Sequence, residues 1–264
     1  MNSAPRKPEG LVRALAAAGI RDERLLDAVR TTPRAEFVPA CQVAAAYRDA
    51  PVAIGQGQVT TQPSLSAMMI ECLGLDRNEH VLETGTGLGF QTALLARLAA
   101  DVVSIEMRPD LARQARDNLA RQRVQNVELR VGDGSGGVPD RAPYDAVVVS
   151  AAFPEVPAPL IAQLRPSGRL VQPIGPGGHE RVVCFVRTPS GLEQRRIVTA
   201  ARFVRPHGRY GFPEAWRLVP VVRIPVRARS QHRAFRRDGS SRGCPGTGHS
   251  NAGLIDGVEI LAIS

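Results

Sequence analysis

Val81-Leu82-Glu83-Thr84-Gly85-Thr86-Gly87-Leu88-Gly89-Phe90 decides the fold of this chain. An apolar run ends on an acid, three glycines alternate with small or apolar residues, and a helical pattern follows from Gln91 to Leu98. This order describes a buried strand entering a tight turn whose backbone can approach a ligand, because no Cβ stands in the way. The first turn of the following helix then presents free N–H groups to that ligand. The spacing is G-x-G-x-G, not the dinucleotide G-x-G-x-x-G. A dinucleotide site needs room for a pyrophosphate, whereas this tighter turn suits a nucleoside with a short amino-acid tail, such as S-adenosylmethionine. Glu83, Gly85, Thr86, Gly87 and Gly89 are the candidate contacts.

The next strands supply the acids that such a nucleoside needs. Val102 to Ile105 reads as a second buried strand with Glu106 at its carboxyl end, about 20 residues beyond the turn, where a carboxylate can hold ribose hydroxyls. Val127 to Val131 reads as a third strand, followed by Gly132-Asp133-Gly134, where Asp133 can accept from the exocyclic amine of adenine beside Gly134. Ala146 to Val149 is a fourth strand. Alternation of strands and helices from Val81 to about Val171 predicts an α/β, doubly wound sheet.

Composition sets the outer bounds. A chain of 264 residues with 43% hydrophobic and 22% charged residues can bury a full α/β core. No apolar run approaches a membrane span, and Met1 to Pro8 leads into an amphipathic pattern without a secretory h-region. Cys41, Cys72, Cys184 and Cys244 show no metal-ligand spacing. A cytoplasmic, monomeric enzyme without metal or membrane partner is the expectation. The formal charge of +9 invites a nucleic-acid reading. Much of it, however, lies beyond Trp216, and the cations are almost all arginine, Lys7 being the only lysine. A solvated basic tail accounts for that pattern, and no nucleic-acid partner is expected.

Upstream, Leu11, Val12 and Leu15, then Leu25, Leu26 and Val29, predict two short helices punctuated by Gly19 and Asp22. Pro33 to Gly57 reads as irregular, and Pro63 opens a helix through Leu73. Asp110 to Arg121 is a helix, and Leu160 to Leu164 is another, stopped by Pro166-Ser167-Gly168 before a strand at Arg169 to Val171. Val182 to Val186 and Arg195 to Thr199 form a strand pair around Pro189-Ser190-Gly191. Arg229 to Asn251 lacks periodicity and is expected to be poorly ordered, with a terminal strand at Val258 to Ile263. The expected organisation is N-terminal helices and a substrate-site loop over 1–78, a cofactor domain over 79–212, and a basic extension over 213–264. His80, His179, His207, His232 and His249 share no spacing and read as surface or loop residues.

Taken together, Pro33-Arg34-Ala35-Glu36-Phe37-Val38-Pro39, Ala46-Tyr47-Arg48-Asp49 and Ile54-Gly55-Gln56-Gly57-Gln58-Val59-Thr60-Thr61-Gln62-Pro63 are diagnostic. With the glycine motif, Gly132-Asp133-Gly134, Tyr144-Asp145, Gln163-Leu164 and Arg202-Phe203-Val204, the chain resembles the protein-L-isoaspartate (D-aspartate) O-methyltransferases as far as about Phe212. The resemblance implies the Rossmann-like fold of the class I S-adenosylmethionine-dependent methyltransferases, and methyl transfer from S-adenosylmethionine to the free carboxylate of L-isoaspartyl and D-aspartyl residues in damaged proteins. The ester then closes to a succinimide, and hydrolysis returns some normal aspartate. The family's active-site hydroxyl, a serine in T-I-S-Q-P, maps onto Thr61, with Ile54, Gln58, Thr60 and Gln62 forming the substrate wall. Thr60-Thr61 also fits a helix cap ahead of Pro63. Val59-Thr60-Thr61 replaces the family's usual T-I-S, and Ser167 replaces a usual glycine.

Two other substrates fit the cofactor motif. A dedicated peptide esterified at Asp keeps the chemistry. A nucleic-acid methyltransferase would place N/D-P-P-aromatic after the fourth strand, where this chain has Ser150-Ala151-Ala152-Phe153. The resemblance favours isoaspartyl proteins.

Overall fold

Helical spacing of apolar residues gives the molecule its first two elements. Leu11, Val12 and Leu15 form the buried face of α1 (Pro8–Ala17), and Leu25, Leu26, Ala28 and Val29 that of α2 (Glu23–Thr31). Asp22 caps α2 as expected, its carboxylate accepting from the N–H groups of Arg24 (2.8 Å) and Leu25 (3.3 Å). The computed structural model describes residues 7–176, 180–201, 203 and 209–211. The basic extension expected over 213–264, its terminal strand, and His179, His207, His232 and His249 lie outside the described residues.

The stretch expected to be irregular is more ordered than its composition suggests. It forms 3-10 turns at Arg34–Phe37 and Ala40–Ala45, then an antiparallel hairpin of β1 (Ala53–Gly55) and β2 (Gln58–Val59). Both residues of its two-residue loop are left-handed, Gln56 at φ 54° and Gly57 at φ 69°. That geometry matches the twist of paired strands, but glutamine at the first position masks the usual Asn-Gly or Asp-Gly signature. α3 (Pro63–Leu73) starts at the expected proline and stops at Gly74, whose φ of 56° makes a left-handed cap.

The remaining elements alternate: β3 (His80–Thr84), α4 (Phe90–Leu98), β4 (Asp101–Glu106), α5 (Pro109–Arg121), β5 (Val127–Val131) and β6 (Tyr144–Val149). After α6 (Ala158–Ala162) come β7 (Leu164–Ile174), β8 (Glu180–Thr188) and β9 (Gly191–Ala201). Seven strands make one sheet in the order β5-β4-β3-β6-β7-β8-β9, parallel from β5 to β7 and antiparallel beyond. The chain winds outward from β3 in one direction to β5 and then in the other to β7. Where the order reverses, the loops at the carboxyl ends of the strands diverge and leave a crevice.

Alternation along the strands separates two buried faces. Val81, Val102, Ala146 and Val148 pack against Leu11, Leu15, Leu25, Leu94 and Leu95 from the helices on one side. Leu82, Val103, Val147 and Val149 pack with Leu160, Leu164 and Phe153 on the other. Both faces are covered, so the strands read as continuous apolar runs. The N-terminal helices thus share a core with the sheet.

Two details differ from expectation. His80 is not a loop residue: it opens β3, its ring stacked on Tyr144 at 4.6 Å, with Nδ1 2.7 Å from Asp101 Oδ2 and Nε2 2.8 Å from the Arg141 carbonyl. The helix expected over Leu160 to Leu164 ends at Ala162, and β7 runs through Pro166-Ser167-Gly168. The pairing jumps from Tyr144↔Leu164 to Ala146↔Arg169, so the intervening residues bulge from the sheet and accommodate the proline.

That bulge contains a test of local strain. Exposed Ser167 sits at φ 64°, a left-handed conformation that costs a side chain on the order of 1 kcal/mol. Buried Gly168 could not accept a Cβ, which would lie 2.8 Å from the Arg165 carbonyl oxygen. Thermal unfolding should show Ser167→Gly raising Tm by about 2–4 °C and Gly168→Ala lowering it.

Candidate active site

The glycine turn is built on a buried carboxyl group. Glu83 ends the apolar run of β3 at 0% exposure, and its carboxylate accepts from Gln91 Nε2 (3.0 Å), Thr92 Oγ1 (2.5 Å) and Ser104 Oγ (2.7 Å). These bonds tie β3 to the start of α4 and to β4. Ser104 Oγ is also 2.6 Å from Thr86 Oγ1, so the anchoring reaches into the turn itself. Gly85, at φ 91°, lets the chain turn beside Ser150, whose Cβ would be 3.3 Å from an added Cβ. Gly89, at φ 92°, opens α4 and faces Leu119 and Ala115 of α5 at a separation that leaves little room for a side chain.

The two acids stand where the strand pattern places them. Glu106 is buried at the end of β4; Oε2 accepts from the Gly87 N–H (2.9 Å) and Oε1 from the Arg108 N–H (2.9 Å). Each oxygen retains acceptor capacity for a further donor. Asp133, just beyond β5, accepts from the Ser135 N–H through Oδ1 (2.9 Å) and from the Arg209 N–H through Oδ2 (2.8 Å). Burial pushes its carboxyl up, but the Arg209 and Ser135 hydrogen bonds outweigh this and hold it below the usual carboxylate range. Gly134 lies so close to β3 that a Cβ would be 2.9 Å from Thr84 Cβ.

The upstream hairpin closes the other side. Ile54, Leu88 and Leu111 form a small buried cluster joining β1, the glycine turn and α5. Phe37 packs edge-on against Phe90, the first residue of α4, with centroids 5.9 Å apart. The resulting crevice, about 1150 Å³ including its open mouth, has Ile54, Gln58, Val59, Thr60 and Thr61 on one wall. Thr84 to Leu88, Glu106 and Asp133 to Ser135 line the crevice from the carboxyl ends of the strands. Phe37, Phe153, Ser66 and Ser150 also contribute.

The structure therefore brings most of the expected residues together and sorts them by depth. Gly85, Thr86, Gly87, Glu106, Asp133 and Gly134 face the crevice from the sheet side. Glu83, Gly89 and Gln62 stand one layer behind. Glu83 holds the turn, Gly89 packs α4 on α5, and Gln62 Nε2 donates to Asp49 Oδ2 (3.0 Å) and Ser64 Oγ (2.9 Å). Neither Thr60 nor Thr61 caps α3; the cap position is Gln62, and the Ser64 N–H is satisfied by Asp49 Oδ1 at 2.8 Å. Thr61 lines the crevice with a hydroxyl that makes no hydrogen bond among the described residues.

Several contributors had no signal of their own in the sequence. Gln91, Thr92 and Ser104 converge on Glu83 only after folding. Arg34 and Asp49 sit in motifs whose individual residues carry no obvious role. Among the described residues, Ser135 Oγ and Gln91 Oε1 are buried without a hydrogen-bond partner, in residues that line the crevice. Unpaired polar atoms of this kind, beside a turn in which Gly85 and Gly134 keep Cβ atoms out, fit a polar nucleoside ligand.

Glu83 makes the site's anchoring sensitive to pH. Burial pushes its carboxyl up to about 7, against the opposing effect of its bonds to Ser104, Thr92 and Gln91. Between the ordinary value near 4.5 and this raised value, the folded protein keeps a proton that the unfolded chain has released. Glu83 therefore costs no stability below that window, costs progressively more as pH rises through it, and a constant amount above it. Unfolding free energies for the native protein and Glu83→Gln should show a difference that shifts against the native protein from about pH 5 to 7 by a few kcal/mol, then levels. A difference independent of pH would contradict the raised value.

Comparison with known proteins agrees with this geometry. The family model described as Protein-L-isoaspartate(D-aspartate) O-methyltransferase matches residues 6–210. A protein-L-isoaspartate O-methyltransferase of Methanoculleus marisnigri is 51% identical over 177 residues, covering 67% of this chain and 80% of the relative. One from Anaeromyxobacter dehalogenans is 50% identical over 196 residues, covering 74% and 94%. A solved protein-L-isoaspartate O-methyltransferase superposes with a TM-score of 0.70 at 29% identity, over 77% of this chain and 67% of that one. A second solved structure, a putative member from Plasmodium falciparum in complex with S-adenosyl-L-homocysteine, shares the fold with a TM-score of 0.65 at 20% identity, over 75% of this chain and 97% of that one. The chain belongs to the protein-L-isoaspartate(D-aspartate) O-methyltransferase family, whose activity is S-adenosylmethionine-dependent methylation of isoaspartyl residues.

Proposed function

We propose that this chain carries out its family's reaction with the two walls of the crevice in separate roles: the sheet side holds S-adenosylmethionine, and the hairpin side presents the carboxylate. One observation carries this reading. Residues 54 and 58–61, more than twenty positions upstream of the strand-end acids, face the same crevice as Glu106 and Asp133. In this reading Glu106 accepts from ribose hydroxyls, Asp133 accepts from the adenine amine, and the glycine turn takes the amino-acid tail.

The chemistry asks little of the protein beyond alignment. The bound sulfonium supplies an activated methyl group. The free carboxylate of an isoaspartyl residue is an α-carboxylate with a reference pKa of about 3.5, ionised at neutral pH, so no general base is needed. Thr61, whose hydroxyl makes no hydrogen bond among the described residues, donates to one carboxylate oxygen and directs the other toward the methyl carbon. Ile54, Phe37 and Phe153 give that end an apolar lining and exclude water. Orientation of this kind contributes on the order of 7–11 kcal/mol in favourable cases. The substrates are isoaspartyl proteins or peptides, and the chain works as a monomer in the cytoplasm without a nucleic-acid partner. Among the described residues no helix is long and apolar enough to cross a membrane.

Labelled S-adenosylmethionine with an isoaspartyl peptide should yield a base-labile ester, and the matching aspartyl peptide should not. Labelling of the aspartyl peptide alone would favour a dedicated peptide substrate. Thr61→Val should lower kcat while leaving the Kd for S-adenosylmethionine unchanged. Asp133→Ala should weaken cofactor binding roughly 10- to 100-fold, the worth of a hydrogen bond to a charged group. A normal binding isotherm for Asp133→Ala would remove Asp133 from the cofactor site.

A further inference from the structure

Thr61 stands between two residues whose side chains are both held from outside the segment. Thr60 Oγ1 accepts from Arg34 Nη2 (2.9 Å) and from the Val52 N–H (3.0 Å). Gln62 Nε2 donates to Asp49 Oδ2 (3.0 Å), while Asp49 Oδ1 accepts the Ser64 N–H (2.8 Å) and so fixes the first turn of α3. The backbone on either side of Thr61 is therefore anchored twice.

Arg34 is an unusual anchor. It is 1% exposed, and its guanidinium donates to the carbonyls of Ala46 (2.8 Å), Arg48 (3.0 Å) and Ala50 (3.2 Å) as well as to Thr60. It also lies 5.7 Å from the ring centroid of Phe90, the residue that opens α4 directly after the glycine turn. A buried guanidinium costs several kcal/mol in desolvation unless its donors are met; here both Nη groups are paired while Nε has no partner among the described residues, and a packing role alone could be filled by an apolar side chain. Here its bonds converge on the loop that carries Asp49 and on the residue next to Thr61. Asp49 offers the nearby compensating charge.

We propose that Arg34 and Asp49 are positioning residues for methyl transfer, forming a two-sided clamp on residues 60 and 62 that gives the Thr61 hydroxyl a single orientation toward the crevice. The inference rests on the reading of Thr61 as the donor to the substrate carboxylate. Neither clamp residue touches substrate; both act through the backbone of a segment that would otherwise be a short connection between a hairpin and a helix. A misplacement of about 1 Å in such a group lowers turnover on the order of 100-fold.

The test is a mutant cycle with kcat, KM for an isoaspartyl peptide and Kd for S-adenosylmethionine measured on each protein. Thr60→Val keeps the shape and removes only the hydroxyl; Asp49→Ala releases the other side. Each is made alone and in a Thr61→Val background, with thermal midpoints recorded to confirm folding. Each single variant should lower kcat on the order of 10-fold or more with cofactor Kd unchanged, and the loss should vanish once Thr61 is already valine. The same loss in the Thr61→Val background, or full turnover in Thr60→Val and Asp49→Ala, would overturn the clamp while leaving the role of Thr61 intact. Full turnover in Thr61→Val itself would overturn the role of Thr61, and the clamp with it.

Discussion

A carboxylate buried at the end of the central strand organises this molecule. Glu83 cannot remain in the core without donors, and it obtains them from Gln91, Thr92 and Ser104, on α4 and β4. Meeting that requirement brings the strand, the helix after the glycine turn and the neighbouring strand to one point. The turn between them is then pinned, with Thr86 tied to Ser104 and the Gly87 N–H tied to Glu106. The backbone of the turn is held in place because the buried carboxyl group behind it has to be satisfied.

The second constraint is the attachment of an upstream segment to this frame. Arg34 joins the 46–60 loop to the start of α4 through carbonyl bonds and the Phe90 ring, while Ile54 seals against Leu88 and Leu111. Buried ionisable groups of opposite type thus brace the two sides of the crevice: Glu83 holds the glycine turn, and Arg34 holds the 46–60 loop. The apolar contacts between these parts keep them in register. The Arg209 N–H bond to Asp133 brings the later chain to the Asp133 end of the same crevice.

Much of the frame was legible because it depends on local patterns. Leu11 to Leu15 and Leu25 to Val29 repeat at helical spacing, Asp22 caps, Pro63 initiates, and the strands from Val81 to Val149 are apolar because both faces are covered. The hairpin of β1 and β2 was not legible, since its left-handed turn carries Gln56 where a glycine or asparagine would signal it. The strand through Pro166 was missed for a similar reason: a bulge tolerates residues that ordinarily end a strand. His80 read as peripheral because its partners, Asp101, Arg141 and Tyr144, are distant in sequence.

By itself, the sequence determined the strand–turn–helix unit, the acids at the ends of the next two strands and the hydroxyl ahead of Pro63. Each depends on residue type at a short spacing, where backbone geometry leaves few alternatives. Only the tertiary structure decided which of these face the ligand and which hold others in place. Glu83, Gly89 and Gln62 look like site residues in sequence yet stand behind the wall, whereas Arg34 and Asp49 bear on Thr61 from 27 and 12 positions away. Depth and partnership are set by burial and by the need to pair polar groups across the fold, and no linear spacing encodes either.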